Sequence, residues 1–161
     1  MKRLSKQLYK LMSASGKTLA TAESCTAGGI AHAIVQTPGA SAYFKGGIVS
    51  YTNEMKTSLL GVDAKVLEEQ TAVCEEVARQ MVAGACKALQ ADYAIAATGL
   101  AGPGGGSREI PVGTIWLACG SRERIVVRKL ADDMGREKNL TIAIRSALQL
   151  FIDFVAQETA E

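Results

Sequence analysis

Residues 21–26, a short hydroxyl-rich segment, are the part of this sequence best suited to chemistry. They follow an apolar run that predicts a buried strand over 18–22, and a predicted helix begins at about residue 26. In α/β proteins, polar turns between a strand and a helix are where ligands and functional groups lie. Ser24 has two interpretations here: a helix N-cap, or an exposed hydroxyl nucleophile. Cys25 is a competing nucleophile, because a helix N-terminus lowers the pKa of a thiol.

A serine nucleophile needs a base, and the sequence offers few. His32, the only histidine, falls about two turns into the helix after Ser24, where its ring would project away from the hydroxyl. A Ser-His-Asp triad is therefore disfavoured, which leaves a lysine. Lys56 lies one turn into a predicted helix that follows a strand over 43–51, where burial and the helix N-terminus would both favour a neutral amine. Tyr51, at the end of that strand, is placed to relay or hold a proton.

A glycine-rich loop over residues 99–107 follows a further predicted strand, 92–98. It is neither a P-loop nor a dinucleotide-binding fingerprint, since Pro103 and Pro111 exclude a helix there. Its backbone N–H groups would suit an anion. Arg136, at the start of the last predicted helix, is placed to clamp a phosphate or carboxylate. The alternatives are a flexible surface loop and a solvated arginine.

Hydrophobic periodicity predicts strands that alternate with helices. The predicted helices cover 2–14, about 26–36, 52–60, 75–90 and about 136–155, with a short helical turn between 62 and 70; the predicted strands cover 18–22, 43–51, 92–98, 112–119 and 125–130. Gly46 and Gly47 predict a bulge or a close backbone approach in the second strand. This order predicts an α/β fold, a three-layer α/β/α sandwich around a mixed sheet.

Composition limits the class of protein. A chain of 161 residues favours one domain over 1–161, and 48% hydrophobic with 21% charged residues is typical of a globular protein. The net charge of +2 and the 5% aromatic content argue against nucleic acid and anionic membranes as partners. With neither a transmembrane run nor a signal-peptide pattern, the expected location is the cytoplasm. The four cysteines have no zinc-site spacing, so free thiols and no metal site are expected.

Four motifs together resemble the CinA C-terminal domain family, also called the competence/damage-inducible or nicotinamide-nucleotide amidase family. They are TAESCT at 21–26, SYTNEMK at 50–56, TGLAGP at 98–103 and PVGT at 111–114. The similarity covers nearly the whole chain, in order and with family-like spacing. Larger members of the family carry an additional N-terminal domain, so the resemblance implies the stand-alone form.

The resemblance implies a deamidase that hydrolyses nicotinamide mononucleotide to nicotinate mononucleotide and ammonia, with neither a metal nor a cofactor. Ser24 matches the family's nucleophile, Lys56 its base and Tyr51 the third member of a Ser-Lys-Tyr set. Backbone N–H groups near Ser24 or in the glycine loop would hold the oxyanion. The loop and Arg136 would be free to bind the 5′-phosphate. The substrate-binding residues that we expect are Thr26, Thr98, Gly99, Gly102, Pro103, Gly105 and Arg136.

Some positions depart from the family pattern. Leu140 falls where a second basic residue is common, which bears on phosphate affinity, and Cys74 replaces a serine that would be a better helix cap. Two other functions stay open: a catalytically inactive domain that binds a nucleotide or a partner protein, and a serine hydrolase of a different amide or ester. The expected assembly is a homo-oligomer, for which the apolar first and last helices would supply an interface.

Overall fold

Five strands form one mixed sheet with a layer of helices on each side, in a computed structural model that covers residues 1–161. The elements in chain order are α1 (Lys2–Ser15), β1 (Leu19–Glu23), α2 (Gly29–Ile34), a 3-10 turn (Ala40–Ala42), β2 (Phe44–Val49), α3 (Asn53–Leu60), α4 (Ala64–Gln70), α5 (Glu75–Leu89), β3 (Tyr93–Gly99), β4 (Ile115–Gly120), β5 (Ile125–Leu130) and α6 (Arg136–Glu158). The three-layer α/β/α sandwich around a mixed sheet that the sequence predicts is confirmed.

The strand order in the sheet is β2-β1-β3-β4-β5. Strands β2, β1 and β3 are parallel and end at the same edge, whereas β4 runs antiparallel to both of its neighbours. Strands β4 and β5 form a hairpin that is closed by a 2.9 Å hydrogen bond from the Ser121 N–H to the Arg124 carbonyl. The polar or glycine-rich segments that follow the three parallel strands are therefore neighbours in space.

The two faces of the sheet differ in the size of their side chains, because alternate residues of a strand point to opposite faces. Toward α1, α2 and α6 the strands present large apolar side chains such as Leu19, Ile95 and Leu117. Toward α5 they present alanines such as Ala22 and Ala96. The small side chains let α5 lie close to the sheet, where it contacts all five strands.

One helix, α6, is long and apolar enough to cross a membrane by length and composition alone. In the structure this helix contacts β3, β4 and β5 on one side of the sheet. Its buried residues are the polar Asn139 and the apolar Ala143, Ala147, Leu148, Leu150, Phe151, Ile152, Phe154 and Val155. The apolar run of α6 thus serves as part of the protein core.

Strand β2 contains both features that its glycine pair predicts. Leu19 pairs with Phe44 but Ala20 pairs with Gly46, so one extra residue bulges out of β2. At Gly47 the backbone passes so close to β1 that an added Cβ would overlap the Thr21 hydroxyl. The bulge sets the register of the last residues of β2, which lead directly into the segment with Tyr51 and Lys56.

The second helix begins later than the sequence predicts. Residues 24–28 form a turn in which Ala27 and Gly28 have left-handed backbone angles, with φ of 47° and 94°, so α2 starts only at Gly29. Gly28 is the N-cap of α2, and the interpretation of Ser24 as that cap is wrong. The side chain of Ser24 is thereby left available for another role.

Helix α3, which carries Lys56, is fixed at both ends and along one face. The Thr52 hydroxyl caps its start by accepting a 3.3 Å hydrogen bond from the Met55 N–H, and Gly61 ends it in a left-handed conformation. The main chain of Leu60 then packs directly onto Gly84 of α5, where an added Cβ would overlap the Leu60 carbonyl group. The position of α3 therefore depends on a glycine inside another helix.

We predict that Gly84→Ala destabilises the protein although alanine is the better helix former. The helix propensity of alanine would add about 1 kcal/mol, but pushing α3 away from α5 costs more, for a net loss of about 1–3 kcal/mol. Urea denaturation measures the change in the free energy of unfolding. Gly104→Ala is the control, because its Cβ meets open space and no backbone strain. Equal stability of Gly84→Ala and the wild type would contradict this account.

Candidate active site

A cleft of about 250 Å³ lies at the carboxyl ends of β1, β2 and β3, the edge where open α/β sheets bind ligands. Its walls come from the turn after β1, the start of α3, the segment before α5, the glycine loop after β3 and the first residue of α6. The residues that line it are Ser24, Cys25, Tyr51, Asn53, Lys56, Ala72, Val73, Thr98, Gly99, Leu100, Ala101, Gly102, Gly104 and Arg136.

Ser24 is buried at the inner end of this cleft, directly after β1. Its N–H donates a 2.9 Å hydrogen bond to the Ala97 carbonyl of β3, which continues the sheet pairing by one residue. The next two residues leave the sheet, and neither the Cys25 N–H nor the Thr26 N–H donates to a backbone carbonyl. The turn thus combines a fixed serine with two backbone N–H groups that do not donate to any carbonyl.

The carboxylate of Glu23 anchors this turn through hydrogen bonds. Glu23 is 1% exposed, and its Oε1 accepts 2.7 Å hydrogen bonds from the Thr26 hydroxyl and from the Ile30 N–H. Its Oε2 accepts a 3.0 Å bond from the Ala31 N–H. The N–H groups of Ile30 and Ala31 belong to the first turn of α2 and lack partners within the helix, so a carboxylate is well matched to them. This network ties the start of α2 to the residue before Ser24.

Lys56 is the unusual side chain of the cleft, because it is 1% exposed and forms no salt bridge. Its only hydrogen bond is a long one, 3.4 Å from Nζ to the main-chain carbonyl of Tyr51. Burial lowers the pKa of the Lys56 ammonium below its usual value of 10.5. A lysine in this environment is a candidate base, since its neutral form is favoured.

Tyr51 lies at the mouth of the cleft and is 56% exposed. Its carbonyl contacts Lys56, whereas its phenol hydroxyl has no hydrogen-bond partner. No direct hydrogen bond joins the hydroxyl of Ser24 to Lys56. The three residues share one cleft, and catalytic hydrogen bonds are often long before a substrate is bound.

The glycine loop is anchored to α6 through polar side chains. Arg136 Nη1 donates a 2.8 Å hydrogen bond to the Gly102 carbonyl, which leaves the rest of the exposed guanidinium free. The buried Asn139 donates a 3.1 Å bond to the Ala101 carbonyl. On the opposite wall, the Thr98 hydroxyl donates a 2.9 Å bond to the Ala72 carbonyl, which fixes the segment before α5.

The structure brings most of the predicted site residues together in the cleft but leaves three of them off its walls. Those in the cleft are Ser24, Tyr51, Lys56, Thr98, Gly99, Gly102 and Arg136. Thr26 is not among the lining residues, because its hydroxyl is turned inward to Glu23. Pro103 and Gly105 lie in the exposed part of the loop, beyond the wall.

The structure bears on two residues that the sequence analysis weighed, Cys25 as a competing nucleophile and His32 as a base. Cys25 lines the cleft, but burial raises the pKa of its thiol to about 11, the opposite of the expected lowering. A thiol with that pKa is protonated at neutral pH and is a poor nucleophile. His32 is exposed on α2, where it contacts Gln36 at 3.0 Å, and it does not line the cleft. No cluster of three or more His, Cys, Asp or Glu side chains able to hold a metal ion is present.

The CinA C-terminal domain family matches residues 1–155. The chain belongs to this family. A relative from Escherichia coli strain K12, nicotinamide-nucleotide amidohydrolase PncC, is 47% identical over 72% of this chain and 70% of its own length. A CinA-like protein from Cytophaga hutchinsonii is 43% identical over 88% of this chain. The match covers only 34% of that longer relative, so this chain corresponds to about a third of it.

Solved structures of CinA superfamily proteins have the same fold. The competence/damage-inducible protein CihA from Agrobacterium tumefaciens superimposes with a TM-score of 0.90 at 38% identity, over 94% of this chain and 93% of that one. The competence damage-inducible protein A from Klebsiella pneumoniae gives a TM-score of 0.91 at 32% identity, over 96% of both chains. Both similarities extend over nearly the whole length of each chain, so the entire sandwich is shared.

Sequence reasoning did not assign a role to two residues that shape the site. Glu23 lies within the TAESCT motif, and a carboxylate directly after a run predicted to be a buried strand is the signal that marks it. Asn139 falls four residues before Ala143 and eight before Ala147, on the buried face of α6. A polar side chain at such a position predicts a buried hydrogen-bond anchor. Both signals are in the sequence, but neither names the partners: Glu23 bonds groups three to eight residues later, and Asn139 bonds the distant glycine loop.

We predict that Glu23→Gln lowers the stability of the protein by about 1–3 kcal/mol, because one amide oxygen cannot replace two carboxylate oxygens as acceptors. The amide nitrogen would face an N–H donor of α2. Urea denaturation measures the loss in the free energy of unfolding. Glu68→Gln, on the exposed side of α4, is the matched control and should leave that free energy unchanged. A stability loss of equal size in both variants would refute the role of Glu23.

Proposed function

We propose that this chain is a nicotinamide-nucleotide amidohydrolase, with Ser24 as nucleophile, Lys56 as base and Tyr51 as the third member of the catalytic set. Its substrate is nicotinamide mononucleotide, and its products are nicotinate mononucleotide and ammonia. The family relationship and the 47% identity to the PncC protein of Escherichia coli support an amidohydrolase. A cytoplasmic location, a homo-oligomer and a single domain over 1–161 stay predictions from the sequence.

The observation that carries this proposal is the buried, unpaired Lys56 in the same cleft as Ser24. A lysine becomes a base only when its environment disfavours the ammonium, and burial does so here. No acidic side chain lines the cleft, so no carboxylate stabilises the ammonium form of Lys56. Histidine is not available as the base, since His32 lies outside the cleft.

The reaction follows the covalent scheme of serine hydrolases. Neutral Lys56 takes the proton of the Ser24 hydroxyl while the oxygen attacks the carboxamide carbon. The resulting lysine ammonium gives that proton to the departing nitrogen, so ammonia leaves and an ester remains on Ser24. Lys56 then takes a proton from water, whose oxygen attacks the ester carbon. The carbon–oxygen bond to Ser24 breaks, the lysine returns its proton to the serine oxygen, and nicotinate mononucleotide is released.

Backbone donors of the turn would stabilise the tetrahedral intermediate. The N–H of the residue after a nucleophilic serine commonly forms part of an oxyanion hole, and the N–H of Cys25 has no carbonyl partner. The Thr26 N–H beside it is equally unoccupied by carbonyls. Thr26 would thus contribute through its main chain, while its side chain holds Glu23.

The other end of the cleft would bind the phosphate. Arg136 uses one guanidinium nitrogen on Gly102 and has further N–H donors for an anion. It lies in the first turn of α6, where the helix dipole also favours negative charge. Gly99, Gly102 and Gly104 line the same wall and let a ligand approach the main chain. A phosphate there would orient the nucleotide with its carboxamide toward Ser24.

A binding protein without catalysis is the second candidate function. The observation that favours it is the absence of hydrogen bonds from the Tyr51 hydroxyl to either Ser24 or Lys56. Such a protein would bind a pyridine nucleotide saturably in calorimetry and release no ammonia.

We predict that Ser24→Ala and Lys56→Met each lower ammonia release from nicotinamide mononucleotide by at least about a thousandfold. Methionine keeps the length and apolar stem of Lys56, so the cleft stays intact. Tyr51→Phe removes only the phenol hydroxyl, and a loss of at least about tenfold would assign that hydroxyl to proton transfer. A coupled assay for ammonia, with steady-state kcat and KM, measures all three variants.

Lys65→Met is the control for this series, because it removes an exposed lysine of α4. It should keep wild-type turnover. If Cys25→Ala, and not Ser24→Ala, abolished turnover, the nucleophile would be the thiol. Wild-type protein that binds the nucleotide in calorimetry without releasing ammonia would establish the binding function instead.

The pH dependence of the reaction should report Lys56. Because only the neutral amine accepts the serine proton, kcat/KM should rise with pH through a single ionisation below 10.5, the usual lysine value. The stability of the fold should also rise with pH. Between the lowered pKa of Lys56 in the folded protein and its ordinary pKa in the unfolded chain, only the unfolded chain keeps the proton, so raising the pH there favours the folded state.

Lys56→Met should therefore be more stable than the wild type at pH 7, with a smaller gain above the ordinary lysine pKa. Thermal unfolding at a series of pH values measures the difference. A variant that is less stable than the wild type at pH 7 would show that the ammonium is stabilised by its surroundings, contrary to the proposed base.

A further inference from the structure

A second cleft, of about 520 Å³, lies between the start of α1, strand β5 and the middle of α6. We call it the arginine cleft, after Arg3, Arg128 and Arg145, which come from these three elements and line it. The other lining residues are Met1, Leu4, Gln7, Ser146 and Gln149. None of them lines the candidate active site, so the two clefts are separate.

The three guanidinium groups of the arginine cleft have no salt-bridge partner. None of them forms a salt bridge or a hydrogen bond, and no acidic side chain lines the cleft. Two other arginines behave differently: Arg79 pairs with Glu75 at 3.0 Å, and Arg124 pairs with Glu158. Three like charges around one concavity repel one another, and an anion between them would remove that repulsion.

The start of α1 adds to the positive potential of the arginine cleft. The first turn of α1 contains Lys2 and Arg3 but no acidic residue, and the N-cap residue makes no side-chain capping bond. A helix N-terminus carries partial positive charge, so cations there are unfavourable unless an anion is bound. Lys6 and Lys10 extend the basic surface along an adjoining groove of α1, which would steer an anion toward the cleft.

From this arrangement we infer that the arginine cleft is a second binding site, for a small polyanion that carries at least two phosphate groups. Guanidinium forks match phosphate oxygens in geometry, and three of them suit a ligand with several negative charges. The volume lies in the range of small-molecule sites. No aromatic side chain lines the cleft for base stacking, which favours a compact phosphate compound over single-stranded nucleic acid.

The arginine cleft and the active-site cleft share helix α6. Arg136 begins this helix in the candidate active site, and Arg145 lies nine residues later, about 13 Å along the axis. A ligand on Arg145 and Arg128 would tie the middle of α6 to strand β5. Binding itself does not depend on the proposed amidohydrolase, and it is measured without turnover.

The test uses inorganic pyrophosphate as the probe and the midpoint of thermal unfolding as the readout. The wild-type Tm should rise by about 3–6 °C at a pyrophosphate concentration tenfold above the dissociation constant, and calorimetry should give saturable binding. Arg128→Gln and Arg145→Gln should each lose at least about half of this rise. Arg122→Gln, an exposed arginine of the β4–β5 turn, should keep it.

Three results would overturn the inference. One is a wild-type Tm that pyrophosphate does not change, or that potassium chloride of equal ionic strength raises as much. Another is a rise that Arg136→Gln abolishes and Arg128→Gln does not, which would place the probe in the active-site cleft. The third is a chain that binds a single-stranded oligonucleotide but binds no pyrophosphate by calorimetry.

Arg128→Gln and Arg145→Gln remain informative if stability itself changes. Without ligand, each variant should have a Tm equal to or above that of the wild type, since one of three repelling charges is removed. A lower Tm in both would show that these arginines are held by protein groups. Ammonia release by the same variants, measured separately, distinguishes failure of this inference from failure of the proposed function.

Discussion

The buried carboxylate of Glu23 is the constraint on which the candidate site depends. It accepts hydrogen bonds from two N–H groups of the first turn of α2 and from the Thr26 hydroxyl. A buried charge is costly unless such bonds surround it, and hydrogen bonds to a charged group are each worth about 1.5–3 kcal/mol. The network therefore fixes the start of α2, and with it the five-residue turn. That turn holds Ser24 with two backbone donors that face no carbonyl.

The same network explains why Glu23 and Lys56, the two buried ionisable side chains near Ser24, do not form an ion pair. The Glu23 carboxylate faces α2, where backbone donors occupy both oxygens, and Lys56 meets only a main-chain carbonyl from the other side. A carboxylate beside Lys56 would favour the ammonium and raise its pKa. Because the backbone of α2 satisfies Glu23, burial is left as the dominant influence on Lys56 and lowers its pKa. The fold thus keeps an acidic group and a candidate base close to one serine in three dimensions but electrostatically separate.

Local sequence signals predicted the parts of this site that are built locally. The alternation of strands and helices along the chain and the position of α3 follow from short-range rules, and the parallel strand ends bring Ser24 and Lys56 to one edge. The turn after β1 was different, because hydrophobic periodicity reveals neither its left-handed residues, Ala27 and Gly28, nor the side-chain bonds of Glu23. The Thr26 side chain turns inward to a carboxylate only three residues earlier, and the Cys25 thiol is buried by the fold; hydrophobic periodicity describes neither contact. Asn139 likewise has partners in two irregular segments that periodicity does not describe.

The buried lysine also bears on the choice between an enzyme and a binding protein. A domain that only binds an anionic nucleotide gains most from a charged, partly exposed cation, as Arg136 provides. A lysine that is 1% exposed and lacks a counter-charge weakens the fold, since the ammonium must be desolvated or deprotonated. Apolar methionine would fill the same space without that cost. Proton transfer in the cleft is a use for a neutral amine that binding does not supply, and groups with shifted pKa values concentrate at catalytic sites for this reason. A lysine that lowers stability at this position has a use in catalysis and none in binding, which favours the amidohydrolase over the binding protein.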